Sequence, residues 1–184
     1  MKVGRLAARA VIGGLFIGHG TQKLFGWFGG PGLPGTEQMM GAIGMHPTRH
    51  NALAAGVTET VGGTLLAAGF LTPAASAGLT GIMTTAIRKV HLKNGPWVAN
   101  GGYEYNLVLI AALFALVDGG PGAWSLDAAL GIEDTGPGWA LAALATGVGA
   151  SFLAVELGRR NAPAGSDYVA TGVDTAGDPV TRDS

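Results

Sequence analysis

No cysteine occurs in the 184 residues of the chain. Disulfides, thiolate metal sites and thiol redox chemistry are therefore excluded within it. Charge is nearly as scarce. Charged residues make up 12%, about half the share carried by soluble domains. A water-facing surface would be hard to cover with so few. The net charge of −1, with no basic stripe interleaved with aromatics, excludes a nucleic-acid partner. Neither a His-Glu-x-x-His zinc motif nor a phosphate-binding P-loop is present. The glycines at 26–35, which include Gly-x-Gly-x-x-Gly spacing at Gly30, Gly32 and Gly35, follow an expected helix rather than a strand, which argues against a phosphate-cradling dinucleotide turn. In place of charge the chain carries 48% hydrophobic residues and 33 glycines. That balance predicts an all-α, polytopic membrane protein.

A membrane span needs about 20 mostly apolar residues to cross roughly 30 Å of hydrocarbon. Five stretches qualify as expectations: residues 6–28, 51–71, 74–90, 102–118 and 139–157. The first begins with Lys2, Arg5 and Arg9 but meets no small-x-small cleavage site, so it reads as a retained helix rather than a signal peptide. Ala10, Gly14 and Gly18 repeat every fourth position along it, and Gly56, Thr60 and Gly63 recur similarly in the second. Such small-residue stripes let helices approach closely. Thr72-Pro73 leaves only a tight turn before the third stretch. Between the first two, Met39, Met40 and Ile43 have helical spacing and predict a short interfacial helix. In the acidic loop 119–136, Ser125 is placed to cap another short helix, with Asp127 in its first turn. The organisation expected is a four-helix membrane bundle over residues 1–130, a further apolar, transmembrane helix over 131–160, and a disordered polar tail over 161–184.

Ionisable groups are costly in lipid, so those inside the expected spans mark a candidate site. Let the side holding the N-terminus be A and the opposite side B. At 1.5 Å per residue His19 lies roughly 14 Å from the side-B end of the first span. Glu59 lies about 12 Å into the second from the same side. The third brings Thr80, Thr84, Arg88 and His91 along one face towards side B, and the fourth leaves side B with Glu104, Tyr105 and Asn106. Lys23 and Arg88 thus balance Glu59 and Glu104, with His19 as a titratable fifth, in one half of the bundle. Buried charges persist only when paired and hydrogen-bonded, and a polar pocket satisfies that demand. Plainer readings exist for each: Lys23 snorkelling to the interface, Arg88 in a helix-end cationic cluster with Lys89 and Lys93, Glu104 complementing a helix dipole, His19 as an interhelical hydrogen-bonding residue. Haem ligation by His19 and His91 is a weaker alternative, because their expected depths differ, and no metal site is expected.

Gly18-His19-Gly20-Thr21-Gln22-Lys23-Leu24-Phe25-Gly26-Trp27-Phe28-Gly29-Gly30-Pro31-Gly32 resembles the first-helix signature of the DoxX family of bacterial membrane proteins. Three further stretches match that pattern in order: Glu59-Thr60-Val61-Gly62-Gly63-Thr64-Leu65-Leu66, Gly101-Gly102-Tyr103-Glu104-Tyr105-Asn106-Leu107, and Gly120-Pro121-Gly122-Ala123-Trp124-Ser125-Leu126-Asp127. The resemblance covers residues 6–130. It implies a compact four-helix bundle in the bacterial inner membrane, crossing it several times, and an association with oxidoreductases that reduce quinone or manage oxidative stress.

Under that resemblance the expected activity is that of a quinone-linked redox subunit. His19, Glu59 and Arg88 are its candidate catalytic groups: His19 donating and relaying a proton, Glu59 orienting it or passing the proton on, Arg88 stabilising a developing oxyanion. Lys23, Phe25, Trp27, Glu104 and Tyr105 are the candidate quinone-binding residues, the aromatic ones as a flat wall. A quinone is the only cofactor expected, and electrons would come from a soluble or membrane redox partner. A homo-oligomer is a further expected association, and a non-enzymatic assembly subunit and a small proton-coupled transporter are the alternative functions. Counting Lys and Arg favours side B as cytoplasmic.

Overall fold

The computed structural model describes residues 2–132 and 134–163. The expected tail lies almost wholly outside the described residues. Helix α1 (Lys2–Phe25) runs from side A to side B, followed by a 3-10 turn (Trp27–Gly29) and the short α2 (Gly32–Ala42). Helix α3 (Thr48–Ala68) returns to side A, and α4 (Thr72–Ala86) comes back, continuing as a π-helical turn over Ile87–His91. Two 3-10 turns (Leu92–Asn94 and Val98–Asn100) lead into α5 (Glu104–Asp118), which goes to side A. The short α6 (Leu126–Leu130) and the long α7 (Pro137–Arg160) complete the fold. No strand occurs among the described residues. The all-α expectation holds.

Local chemistry explains the boundaries. Helix α1 stops at Phe25 rather than 28 because Gly26 adopts φ 74°, a left-handed conformation that glycine reaches without a Cβ penalty. Gly69 ends α3 in the same way, at φ 65°, its N–H turning back to the Leu66 carbonyl. Pro73 then sits in the first turn of α4, where its missing N–H costs nothing. Ser125 caps α6 as expected, accepting from Ala128 N at 3.2 Å. Asp127 lies in that helix's first turn, but its carboxylate reaches across to another helix. It accepts from Leu71 N at 2.8 Å, Thr72 N at 3.1 Å and Thr72 Oγ1 at 2.7 Å, and so caps α4.

Among the described residues α7 alone is both long and apolar enough to cross a membrane by itself. The other expected spans fall short of that measure for readable reasons. Helices α4 and α5 have 15 residues each, about 22 Å at the helical rise. Helix α1 includes Lys2, Arg5, Arg9 and Lys23, and α3 carries Arg49, His50, Asn51 and Glu59 besides its glycines and threonines.

Helix α1 packs along α3, and α4 sits between α3, α5 and α7. The core gathers Phe16, Leu66, Leu79, Met83, Leu109 and Leu113. A second cluster, Met40, Met45, Ala52 and Ala55, joins α2 to α3 and is covered by Ala154 and Val155 of α7. Helix α7 is therefore packed into the same body as the first four long segments. The α3 stripe meets α1 as expected, through Gly56, Thr60 and Gly63. On α1 the stripe is corrected. Gly14 and Gly18 face open space, and the close approach uses Gly13 and Gly20 instead. A Cβ on Gly13 would stand 2.5 Å from the Gly63 carbonyl oxygen and 2.8 Å from Ala67 N.

At side A the chain is locked by a residue whose place in the sequence suggests only a terminal charge. Arg9 is 1% exposed. Its guanidinium donates to Ala67 O at 3.0 Å and Trp124 O at 2.7 Å, tying α1 to the end of α3 and to the loop before α6.

Candidate functional site

In the side-B half of the bundle a cavity of about 320 Å³ lies among α1, α2, α3, α4 and α5. Its walls are chiefly apolar: Leu15 and Phe16 of α1, Met39, Met40 and Ile43 of α2, Ile82 and Met83 of α4, and Leu109 of α5. Into it project His19, Lys23, Glu59, His91, Tyr105 and Asn106.

The electrostatic centre is a pair between helices. Lys23 Nζ donates to Glu59 Oε2 at 2.5 Å, with the Lys23 side chain 20% exposed and the Glu59 side chain 3% exposed. A lysine ammonium carries three donors. One is committed to Glu59, so the pair can still donate to a molecule in the cavity. His19 lies within electrostatic reach of the Glu59 carboxylate and is exposed at the mouth.

The depth count proves sound, but the partner differs. Gly20 stands directly against Gly56 and Thr60 of α3, so His19 and Glu59 are at nearly the same level. Gly13, Gly20 and Leu24 form the contact face of α1 towards α3. His19 is about 100° round from Gly20 at 3.6 residues per turn, whereas Lys23, three residues on, returns to within about 60° of it. The longer side chain then reaches down to the carboxylate. Lys23 pairs instead of snorkelling away.

The remaining candidates divide. Tyr105 lines the cavity. Arg88 does not: it lies on the same side of α4 as Thr80, which packs on Gly147 of α7, and it donates to Ser151 O at 3.0 Å and lies 3.8 Å from the centre of the Phe152 ring. Glu104 is also outside the cavity, its carboxylate accepting from Val98 N at 2.9 Å and closing the loop before α5. Phe25 and Trp27 form an exposed aromatic group beyond the cavity, with ring centroids 5.3 Å apart and Phe28 edge-on to Trp27. Phe25 and Trp27 therefore form no wall of the cavity, which is lined instead by methionine and aliphatic side chains with Phe16 and Tyr105.

Sequence spacing offers His91 only as a weak haem ligand and leaves it out of the site. It lines the cavity, and its Nδ1 donates to Gly101 O at 2.7 Å. That bond fixes the tautomer and leaves Nε2 unprotonated in the neutral ring. The signal is present in the i, i+4, i+8, i+11 face of the third expected span. His91 lies in the π turn and lines the cavity beside Val90, whereas Arg88 shares the α7-facing side of α4 with Thr80. Among the described residues, no group of His, Asp and Glu side chains suits a metal ion.

Among the described residues the fold is all-helical, with a charge pair on the wall of an apolar cavity and one helix long and apolar enough to cross a bilayer. The DoxX family model matches residues 4–92, and over that stretch the chain is similar to the DoxX family, whose members are bilayer-associated. The match contains α1 to α4, and with them Lys23, Glu59, His19 and His91. The two later stretches that resemble the family, around Glu104 and Asp127, follow the matched region. No curated protein and no solved structure matches the chain.

Proposed function

We propose that the chain is a multi-pass protein of the bacterial inner membrane, with α1, α3, α4, α5 and α7 crossing as one bundle, and that it serves as a quinone-linked redox subunit. The observation that carries the reading is the Lys23–Glu59 ion pair on the wall of an apolar cavity. An ion pair in such a place is a functional feature by default, since its desolvation is costly.

The residues present fit a quinone. The cavity is at the lower end of the roughly 300–1,000 Å³ typical of small-molecule pockets, and its few polar groups converge from separate helices. Lys23 and Tyr105 supply donors for a carbonyl oxygen. Glu59 and His19 are groups that exchange protons, and His91 offers a second basic nitrogen at the side-B end. A quinone held by these residues would supply the redox chemistry, with a partner protein as the source of electrons. The chain's own residues orient it, hold protons beside it and keep bulk water from the pair. Arg88, Glu104, Phe25 and Trp27 take no part in this version of the site, because they lie outside the cavity.

The test is direct. Protein purified gently from membranes is extracted, and retained quinone is measured by mass spectrometry and by competition with a short-tailed benzoquinone. Wild-type protein retains quinone, and Glu59→Gln and Lys23→Met lose most of it. Empty wild-type protein with no competable site would overturn the proposal.

A further inference from the structure

The shape of the cavity says how a ligand reaches it. Its side-B end is roofed by the chain between His91 and Glu104, which is tied down by its own hydrogen bonds. Gly102 N donates to Trp97 O at 2.9 Å, Tyr103 N to Gly95 O at 3.2 Å and Glu104 N to Pro96 O at 2.8 Å. Val98 N donates to Glu104, and His91 clasps the Gly101 carbonyl. The inner end closes on the packed core at Phe16 and Leu109. Lining residues elsewhere are exposed as well, Val98 of the roof at 59% and Met39 of α2 at 39%. But the roof is held by the bonds just named, and the flank between α1 and α5 shows no such tie among the described residues. Helix α5 packs on α4 and α7 and barely touches α1. Along the gap between them, cavity-lining residues are open to the outside: Leu15 at 45%, Tyr105 at 44% and the exposed His19. From Leu15 to Lys23 this gap covers about 12 Å of helix axis. It runs along the side of the bundle, not its end.

We propose that the cavity fills from the bilayer through this side portal between α1 and α5. Its occupant is a lipid-soluble molecule with a polar head and an apolar tail. The head meets Lys23, Glu59 and His19; the tail passes out past Leu15 into the acyl chains. This deepens the functional reading above and rests on it for the bilayer that surrounds the bundle. The gradient of chemistry along the cavity supports the assignment. Polar groups lie at the level of His19 to Lys23, and the portal's lower edge is leucine. A water-soluble substrate would need the opposite arrangement, with an open roof and a sealed flank.

Because the chain has no cysteine, a single introduced thiol reports access cleanly. Ala55→Cys places one on the cavity wall next to the pair, and Ala86→Cys is the second reporter should the first not fold. In lipid nanodiscs a maleimide with a long alkyl chain should label the introduced thiol several-fold faster than a charged, membrane-impermeant methanethiosulfonate. Leu15→Trp should slow the alkyl reagent several-fold, and Val98→Trp in the roof should not. Equal labelling by the charged reagent, or no effect of Leu15→Trp, overturns the portal. Protection of the thiol by a decyl-tailed benzoquinone, without protection by the tailless ring, supports the two-part ligand. Portal-dependent labelling with no protection by the tailed quinone overturns the quinone reading and leaves the side portal standing.

Discussion

The two members of the Lys23–Glu59 pair are unequal, and their inequality is testable. Glu59 is almost sealed, at 3% exposure, whereas Lys23 keeps a fifth of its side chain accessible. Removing one partner of a buried pair costs about 3–5 kcal/mol when the other is left as an uncompensated charge. Lys23→Met strands a carboxylate that has no route to water. Glu59→Gln strands an ammonium on a flexible stem that can swing towards the interface. Lys23→Met should therefore lower the melting temperature in detergent more than Glu59→Gln. The Lys23→Met/Glu59→Gln double variant should recover much of the loss while still failing to bind quinone. Equal destabilisation by the two single changes would mean that the carboxylate is better solvated than its burial indicates. Asp127 offers a second residue-scale test. Its carboxylate serves three donors at the start of α4 and is 2% exposed. Loss of a helix cap costs roughly 0.5–2 kcal/mol, and here Leu71, in the left-handed region at φ 48°, would also lose its partner. Asp127→Ala should fall at or above the top of that range in thermal unfolding. Asp127→Asn should be milder, since its amide oxygen still accepts.

At the scale of helices, close packing is set by glycines that sequence spacing locates on α3 but misplaces on α1. Gly13 and Gly63 meet backbone to backbone, so an added methyl at either has nowhere to go. Overpacking of this kind costs about 1–3 kcal/mol. Gly63→Ala should destabilise the protein by that order, while Gly14→Ala and Gly18→Ala should be neutral or slightly stabilising, because a Cβ there meets open space and alanine favours the helix. Circular dichroism melts of the three variants decide the matter. The miss has a physical origin. Gly13, Gly14, Gly18 and Gly20 all lie in one apolar segment, and small-residue spacing alone cannot tell a seam from a lipid-facing face one residue round. Hydropathy and small-residue spacing show which long segments are helical, and the sequence shows that Ser125 begins α6. They do not show that Asp127 caps a different helix or that Arg9 is a buried tie. Both depend on contacts between residues 55 or more positions apart. The same holds in the site. Depth along the axis is legible and brings His19, Lys23 and Glu59 together. Rotation about the axis is not: the face that carries Thr80 and Arg88 is turned to Gly147, Ser151 and Phe152 of α7 rather than to the cavity.

For the whole molecule, the contacts at the two ends define an up-and-down path. At one end Arg9, Ala67, Trp124, Leu71 and Asp127 come together; at the other, Met45 packs against Gly158 and the loop before α5 covers the cavity. If the five long segments cross, the loop around Gly131 and the end of α7 lie in opposite compartments. The positive-inside rule counts Lys and Arg near the ends of spans and gives little weight to Asp and Glu. At side A, Arg9 drops out of that count, since it is buried and hydrogen-bonded within the bundle, leaving Lys2 and Arg5. At side B, Lys23 is absorbed by Glu59 and Arg88 by α7, yet Arg49, Lys89, Lys93, Arg159 and Arg160 remain near the interface. Side B is therefore expected to face the cytoplasm if the segments cross as proposed, with the cavity in the cytoplasmic half of the membrane. A fluorescent-protein reporter fused after Ala162 should light up, and alkaline phosphatase inserted after Gly131 should be active. The reverse pattern would put the cavity towards the outside and exclude a cytoplasmic donor. Both reporters on one side would mean that one of the five segments does not cross, and α5, at about 22 Å of helix, is the first to re-examine.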